Sequence, residues 1–202
     1  MCGRYSLSSS AEQLQQTFPG LELPIQFAPR AEITPGQPVL ALCNDSGYRA
    51  RFLLWGLIPA WSKDPLIGRK LINARAETLS EKPSFRGAYR YRRCLLPADA
   101  FYEWRTLPDG KKRRVRFSLS AEKLFALAGL WETWQSADGS QLDTCAIITT
   151  EPNELIAPVH NRMPVILPAA DWETWLSARP LGPDTLQPLL QPYPAQAMLQ
   201  TE

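Results

Sequence analysis

The chain reads as an α+β protein with a mainly antiparallel β core. Two observations carry that reading. Short apolar, β-branched segments bounded by turn residues outnumber the helical ones, and no strand alternates with a long helix as in a parallel βαβ unit. A third observation sets the scale: 202 residues, 45% hydrophobic and 21% charged, suffice to bury one sizeable core and leave no linker between two.

Each element follows from local chemistry. Ser9 and Ser10 precede Glu12 and Gln13 at capping-box spacing, so a short helix is expected to about Phe18, where Pro19-Gly20 stops it. From Leu21 to Pro38 the chain is Pro-rich and expected to be irregular, with a turn at Thr34-Pro35-Gly36. Val39–Cys43 and Tyr48–Trp55 read as a hairpin around Asn44-Asp45-Ser46-Gly47. Gly56–Asp64 is loop, and Ser80–Phe85 one helical turn. Strands are expected over Arg93–Leu96, Phe101–Arg105, Lys112–Leu119 and Leu124–Trp134, with turns at Asp109-Gly110 and Asp138-Gly139. Asp143–Thr150 is a buried strand by its apolar, β-branched run. A short helix over Asn153–Val159, a last strand over Met163–Leu167 and helices over Asp171–Leu176 and Thr185–Leu190 complete the expectation, with a partly loose, Pro-rich end after Leu181.

Composition excludes several classes. No apolar run is long enough to span a bilayer, and no basic-then-apolar leader is visible, so the expected location is the cytoplasm. The four cysteines, Cys2, Cys43, Cys94 and Cys145, are dispersed. With one histidine they offer no zinc-ligand spacing, and free thiols in a reducing compartment are expected; no metal and no cofactor is predicted. Net charge is only +2, but Arg86–Arg116 carries 10 basic and 3 acidic residues, compatible with a polyanion groove or with solvated strand ends.

A few residues can carry chemistry. Removal of Met1 leaves Cys2 with an amine and a thiol on adjacent carbons, an arrangement no internal cysteine has. Such a pair can attack an acyl carbon through sulfur, or capture an aldehyde as an imine that the thiol closes to a thiazolidine; alternatively Cys2 is simply a frayed terminus. His160, the only histidine, lies in a connection between elements, where reactive side chains concentrate, or is an ordinary packed residue. Glu103 sits between Tyr102 and Trp104, where desolvation suits it to proton transfer; on the plainer reading it faces solvent. Asn73, Arg75 and Glu77 alternate, which puts them on one face of an extended segment, lining a cleft or a solvated strand face. Among seven tryptophans, Trp55, Trp61 and Trp104 lie near these residues; one or two could stack on unpaired bases while most belong to the core.

Taken together, ordered blocks of the chain resemble the SOS response-associated peptidase (SRAP) family of abasic-site processing proteins. They are Met1-Cys2-Gly3-Arg4, Trp55-Gly56-Leu57-Ile58-Pro59-Ala60-Trp61, Leu71–Thr78, Cys94–Trp104, Ile148–Asn153 and His160-Asn161-Arg162-Met163-Pro164. The resemblance implies one SRAP domain over residues 1–202, with a partly barrel-like β core, a motif-bearing part at 1–167 and a helical segment at 168–202. It implies binding of single-stranded DNA bearing an abasic site, and a thiazolidine cross-link between Cys2 and the ring-opened sugar that shields the lesion in the DNA damage response. It also implies self-processing, hence peptidase, and lyase-like chemistry, in a monomer that associates with the nucleoid. Partners at the replication fork are unknown.

By the same resemblance Cys2 is the nucleophile and Asn73 holds the Cys2 backbone and the opened sugar. Glu103 shuttles protons, and His160 assists ring opening and reversal of the cross-link. Arg75 and Arg162, with Arg4, contact DNA, and Trp104 and Pro35 wedge against neighbouring bases. One position departs from the family pattern: the turn that usually reads Asn-x-Ala-Pro is Glu32-Ile33-Thr34-Pro35. Rival readings are an N-terminal-nucleophile amidohydrolase, a protease acting on other proteins, and a single-stranded DNA binding module without chemistry.

Overall fold

Five strands close on themselves into a mixed barrel. β3 (Pro38–Cys43), β4 (Ala50–Trp55), β6 (Arg93–Ala98), β9 (Phe125–Gln135) and β10 (Gln141–Thr150) follow the order β10-β4-β3-β6-β9, and β9 pairs back onto β10. The structure, a computed structural model, describes residues 2–45 and 49–202. All barrel pairings are antiparallel except β10 with β4, which meet in parallel at Thr144↔Leu54 and Cys145↔Trp55. The continuous run Cys145-Ala146-Ile147-Ile148 explains why β10 can take this place: it is fully buried and has no polar face to give to water. Gly129 permits the tight interior, since a Cβ there would lie 2.8 Å from the Cys94 sulfur.

Three more strands extend or flank the barrel. β5 (Asn73–Arg75) runs parallel to the far end of β10, with Asn73 opposite Ile147. β11 (Met163–Pro164) pairs with the end of β10, and β12 (Ile166–Leu167) with β9. A second sheet, wholly antiparallel, has the order β13-β8-β7-β1-β2, from β1 (Tyr5–Leu7), β2 (Arg30–Ile33), β7 (Ala100–Thr106), β8 (Lys112–Leu119) and β13 (Met198–Thr201). The two sheets share one core. Tyr5 meets Trp55 edge to face at 5.4 Å, and Phe101 stacks on Phe117 at 5.2 Å.

The chain crosses from barrel to outer sheet at Asp99, between β6 and β7. Its carboxylate accepts from the Ser6 hydroxyl, the Ser8 amide and, at 3.1 Å, the Ser9 amide, while its own N–H donates to the Ser6 carbonyl at 2.9 Å. This ties β1 in place. The capping box forms through Ser10 and Gln13 and starts α1 (Ala11–Thr17); Phe18 then stacks at 4.4 Å on Trp172 of α3 (Trp172–Trp175).

Several expectations are corrected. The segment Leu21–Pro38 contains β2, because Arg30–Ile33 completes the outer sheet against β1. Helix α2 (Arg86–Tyr91) begins where the predicted turn at Ser80–Phe85 ends, and Asn153–Val159 forms hydrogen-bonded turns rather than a helix. Glu77 does not share a strand face with Asn73 and Arg75, since β5 stops at Arg75 and Ala76–Thr78 coils into a 3-10 turn. The end of the chain is neither loose nor purely helical. After α4 (Pro183–Leu186), β13 pairs with β8, and Glu202 accepts from Arg105 at 3.0 Å and Arg113 at 2.8 Å. The predicted hairpin turn at Ser46-Gly47 and strand start at Tyr48 lie outside the described residues. Among the described residues, no helix is long and apolar enough to cross a membrane.

The basic segment does not form one groove. Arg92 pairs with Glu132 at 2.6 Å, Lys111 with Asp109 at 3.3 Å, Arg105 and Arg113 with Glu202, and Arg114 with Glu32 at 3.1 Å. Arg93 is wholly buried. Its guanidinium donates to the carbonyls of Trp175 at 2.8 Å, Arg90 and Ser177 at 2.6 Å, and Tyr89 and Arg179 at 3.2 Å, joining the barrel to the C-terminal segment; burial lowers its pKa to about 10. Arg93→Leu strands those carbonyls in an apolar interior. It should lower unfolding free energy by roughly 3 kcal/mol or more, read as a shifted urea midpoint. A midpoint within error of wild type would show that the carbonyls find water instead.

Candidate active site

The site is assembled where the N-terminal strand meets the ends of β5 and β7. Tyr5 pairs with both Ile33 and Phe101, and the Tyr102 amide donates to the Arg4 carbonyl at 2.9 Å, so the strand direction is already set when the chain reaches Cys2. Cys2 has no solvent exposure. Asn73, at the start of β5, donates from Nδ2 to the Cys2 carbonyl at 3.0 Å. Burial, then the nearby Glu103 charge, pushes the Cys2 thiol up to about 12, against a hydrogen bond from the Arg4 backbone.

Glu103 faces inward from β7, opposite Val115, and is 3% exposed, which settles its orientation against the solvent-facing alternative. Burial raises its pKa from 4.5 to about 7. His160 follows the turns begun at Asn153, whose side chain accepts from the Ile156 amide at 3.1 Å. His160 Nδ1 faces the Arg162 backbone, 3.1 Å from its amide nitrogen and 3.2 Å from its carbonyl oxygen, and Nε2 lies 3.9 Å from the Glu103 carboxylate. That is contact short of a hydrogen bond. Burial lowers the His160 pKa, so the ring is neutral near pH 7.

Asn73, Glu103 and His160 are therefore brought together around Cys2. The residues expected to contact DNA are more dispersed. Arg75 is exposed and lines a cleft of about 620 Å³ with Glu151, His160, Asn161 and Arg162. Arg162 lies in that cleft but is clamped: Nη1 and Nη2 donate to the two Glu77 oxygens at 2.7 and 2.9 Å, and Nη2 also to the Thr149 carbonyl at 2.6 Å. Arg4 stacks over the half-buried Trp104 at 4.9 Å and pairs with Glu32 at 3.2 Å; Glu32 also holds Arg114, which lies 3.8 Å over Tyr102. Pro35 lines a separate apolar groove of about 490 Å³ with Trp55, Leu66 and Ile72. Trp55 is core, whereas Trp61 is exposed.

Sequence reasoning passed over Asp99, which anchors β1, and Lys112, whose charge lowers the His160 pKa. It also passed over Thr149, whose buried hydroxyl, like Asn73 Oδ1, has no hydrogen-bond partner among the described residues. Asp99 and Thr149 lie inside family blocks without a role assigned to them there, and Lys112 lies outside every block; the cross-strand register brings them to the site. Among the described residues no group of three or more His, Cys, Asp or Glu could hold a metal ion.

The family model for SOS response associated peptidase (SRAP) matches residues 1–202. The chain belongs to the SRAP family. The abasic site processing protein YoqW of Bacillus subtilis is 48% identical over 205 residues, covering 98% of this chain and 90% of the relative. The abasic site processing protein HMCES of Gallus gallus is 30% identical over 145 residues, 60% of this chain and 43% of that protein. A crystal structure of a Bacteroides thetaiotaomicron protein superimposes with a TM-score of 0.87 at 27% identity, covering 98% of this chain and 90% of that one. The α+β class with a partly barrel-like core is thus the fold of this SRAP chain.

The raised Glu103 pKa has a definite effect on stability. Between 4.5 and about 7 the unfolded carboxyl is ionised while the folded one keeps its proton, so the native state binds the extra proton. Stability contributed by this group is complete below pH 4.5 and lost as pH rises through 7, by about 3 kcal/mol in total. Glu103→Gln should flatten that part of the profile in urea titrations across the window. A slope equal to wild type would remove Glu103 as its source.

Proposed function

We propose that this SRAP protein captures abasic sites in single-stranded DNA by forming a thiazolidine through Cys2. Once Met1 is removed by hydrolysis, the Cys2 amine adds to the aldehyde carbon of the ring-opened deoxyribose. The carbinolamine loses water to give an imine. The thiol sulfur then adds to the imine carbon while the thiol proton passes to nitrogen, closing the five-membered ring. One water leaves overall, and no redox partner is needed.

The observation that carries the reading is the junction of three groups on one backbone. Asn73 fixes the Cys2 carbonyl at 3.0 Å, and a buried carboxyl with a pKa near 7 and a neutral imidazole lie together beside it. Glu103 can give a proton to the departing hydroxyl and accept one from the thiol, since near neutrality both of its forms are populated. His160, neutral near pH 7, is suited to accept the hydroxyl proton as the sugar ring opens and to return it in the reverse step. Arg4, Arg75 and Arg162 supply cations for the phosphates, and Trp104 a stacking face, with Pro35 a wedge at the neighbouring groove. Relatives named as abasic site processing proteins at 45–48% identity support the substrate class.

Intact mass after incubation with a single-stranded oligonucleotide carrying one abasic site tests the reading. The expected result is loss of Met1 and an adduct that survives denaturation, absent in Cys2→Ala. Loss of Met1 without adduct would favour the amidohydrolase or the binding module. Arg75→Glu should weaken binding to any single strand and reduce the salt slope by about 0.7; unchanged binding would take Arg75 out of the phosphate path.

A further inference from the structure

Two cations of the DNA-binding set are already occupied by exposed carboxylates. Glu32 bridges Arg4 at 3.2 Å and Arg114 at 3.1 Å. Glu77 grips Arg162 through both oxygens, at 2.7 and 2.9 Å, and that contact holds the Glu77 carboxyl below its ordinary range. Both carboxylates reach solvent, with side-chain exposures of 44% and 43%, whereas the Arg162 side chain is 14% exposed. The guanidinium groups are further fixed from behind, Arg4 by the Trp104 ring, Arg114 by the Tyr102 ring and Arg162 by the Thr149 carbonyl.

We propose that Glu32 and Glu77 act as phosphate surrogates: in the free protein each carboxylate fills the face of an arginine that a DNA phosphate takes on binding, and each must be displaced by the incoming strand. The inference rests on the DNA-binding reading above. A carboxylate and a phosphate offer a guanidinium similar oxygen pairs, so the exchange keeps the arginine geometry. An exposed ion pair is a weak competitor, and a phosphate brings counterion release that a carboxylate on the same chain does not. The device lowers affinity for strands in general and leaves selection to the chemistry at Cys2.

The test is fluorescence-anisotropy binding of a fluorescent single-stranded oligonucleotide without an abasic site, over a salt series, by wild type, Glu32→Gln and Glu77→Gln. Glutamine keeps the length and one acceptor oxygen but loses the charge and the second acceptor, and a thermal melt checks the fold. Each variant should bind about 3- to 10-fold tighter at low salt, because no carboxylate has to be displaced, with the same slope as wild type since the phosphate contacts in the complex are the same. Glu173→Gln on α3, which removes a carboxylate outside these ion pairs, should bind as wild type does. Unchanged or weaker binding in the Glu32 and Glu77 variants, with wild type binding normally, would overturn the proposal. So would an equal gain in Glu173→Gln, because net charge alone would then explain it. Wild type failing to bind any single strand would instead bring down the functional reading, and the surrogates with it.

Discussion

The site depends on one constraint: a chain terminus has to be held still inside the protein. First residues of a domain normally fray, because nothing offsets their entropy. Here β1 is only Tyr5–Leu7, too short to be ordered alone, yet it lies between β2 and β7 and its exit is locked by Asp99. The Tyr102 amide catches the Arg4 carbonyl and Asn73 catches the Cys2 carbonyl. A nucleophile placed by backbone hydrogen bonds loses little further entropy when it reacts, which is the advantage of positioning over a mobile thiol.

Burial and reactivity pull in opposite directions at such a terminus. The interior that orders Cys2 also raises its thiol to about 12, and the same interior raises Glu103 to about 7. A reaction that began with a free thiolate would be slow there. A reaction that begins at the amine and uses sulfur only after the imine forms places the proton transfer at a carboxyl tuned to neutrality. The two shifts share one cause and suit that sequence of events. They suit a direct thiolate attack on an amide poorly, which weighs against the amidohydrolase reading on physical grounds.

Much of this was legible in the residues. The capping box at Ser10, the turn at Asp109-Gly110, the strand at Lys112–Leu119 and the apolar run of β10 are local signals, and the structure has them where the sequence puts them. What was illegible is non-local. β2 and β13 have weak strand signals of their own and exist because the outer sheet has edges for them to pair with. The helix expected at Asn153–Val159 yields to turns that aim His160 inward, so local propensity loses to placement of the site. Glu103 was ambiguous because strand alternation says which residues share a face but not which face is buried.

Charge left two readings open, and the reason is general. A net +7 over Arg86–Arg116 is compatible with a groove or with solvated strand ends, yet Arg93 serves as a buried carbonyl clamp and several neighbours are neutralised by carboxylates from distant segments. Sequence counts treat charges as free, whereas folding brings Glu32, Glu132 and Glu202 onto them. What remains available near Cys2 is sparse: Arg75 open in the cleft, and Arg4 and Arg162 each with a carboxylate partner. A protein that searches DNA for a rare lesion has little use for a strongly cationic groove, because every intact phosphate would compete for it. Under the proposed function, weak phosphate contacts around an ordered aminothiol would shift discrimination from the backbone, which all sites share, to the aldehyde, which only the lesion has.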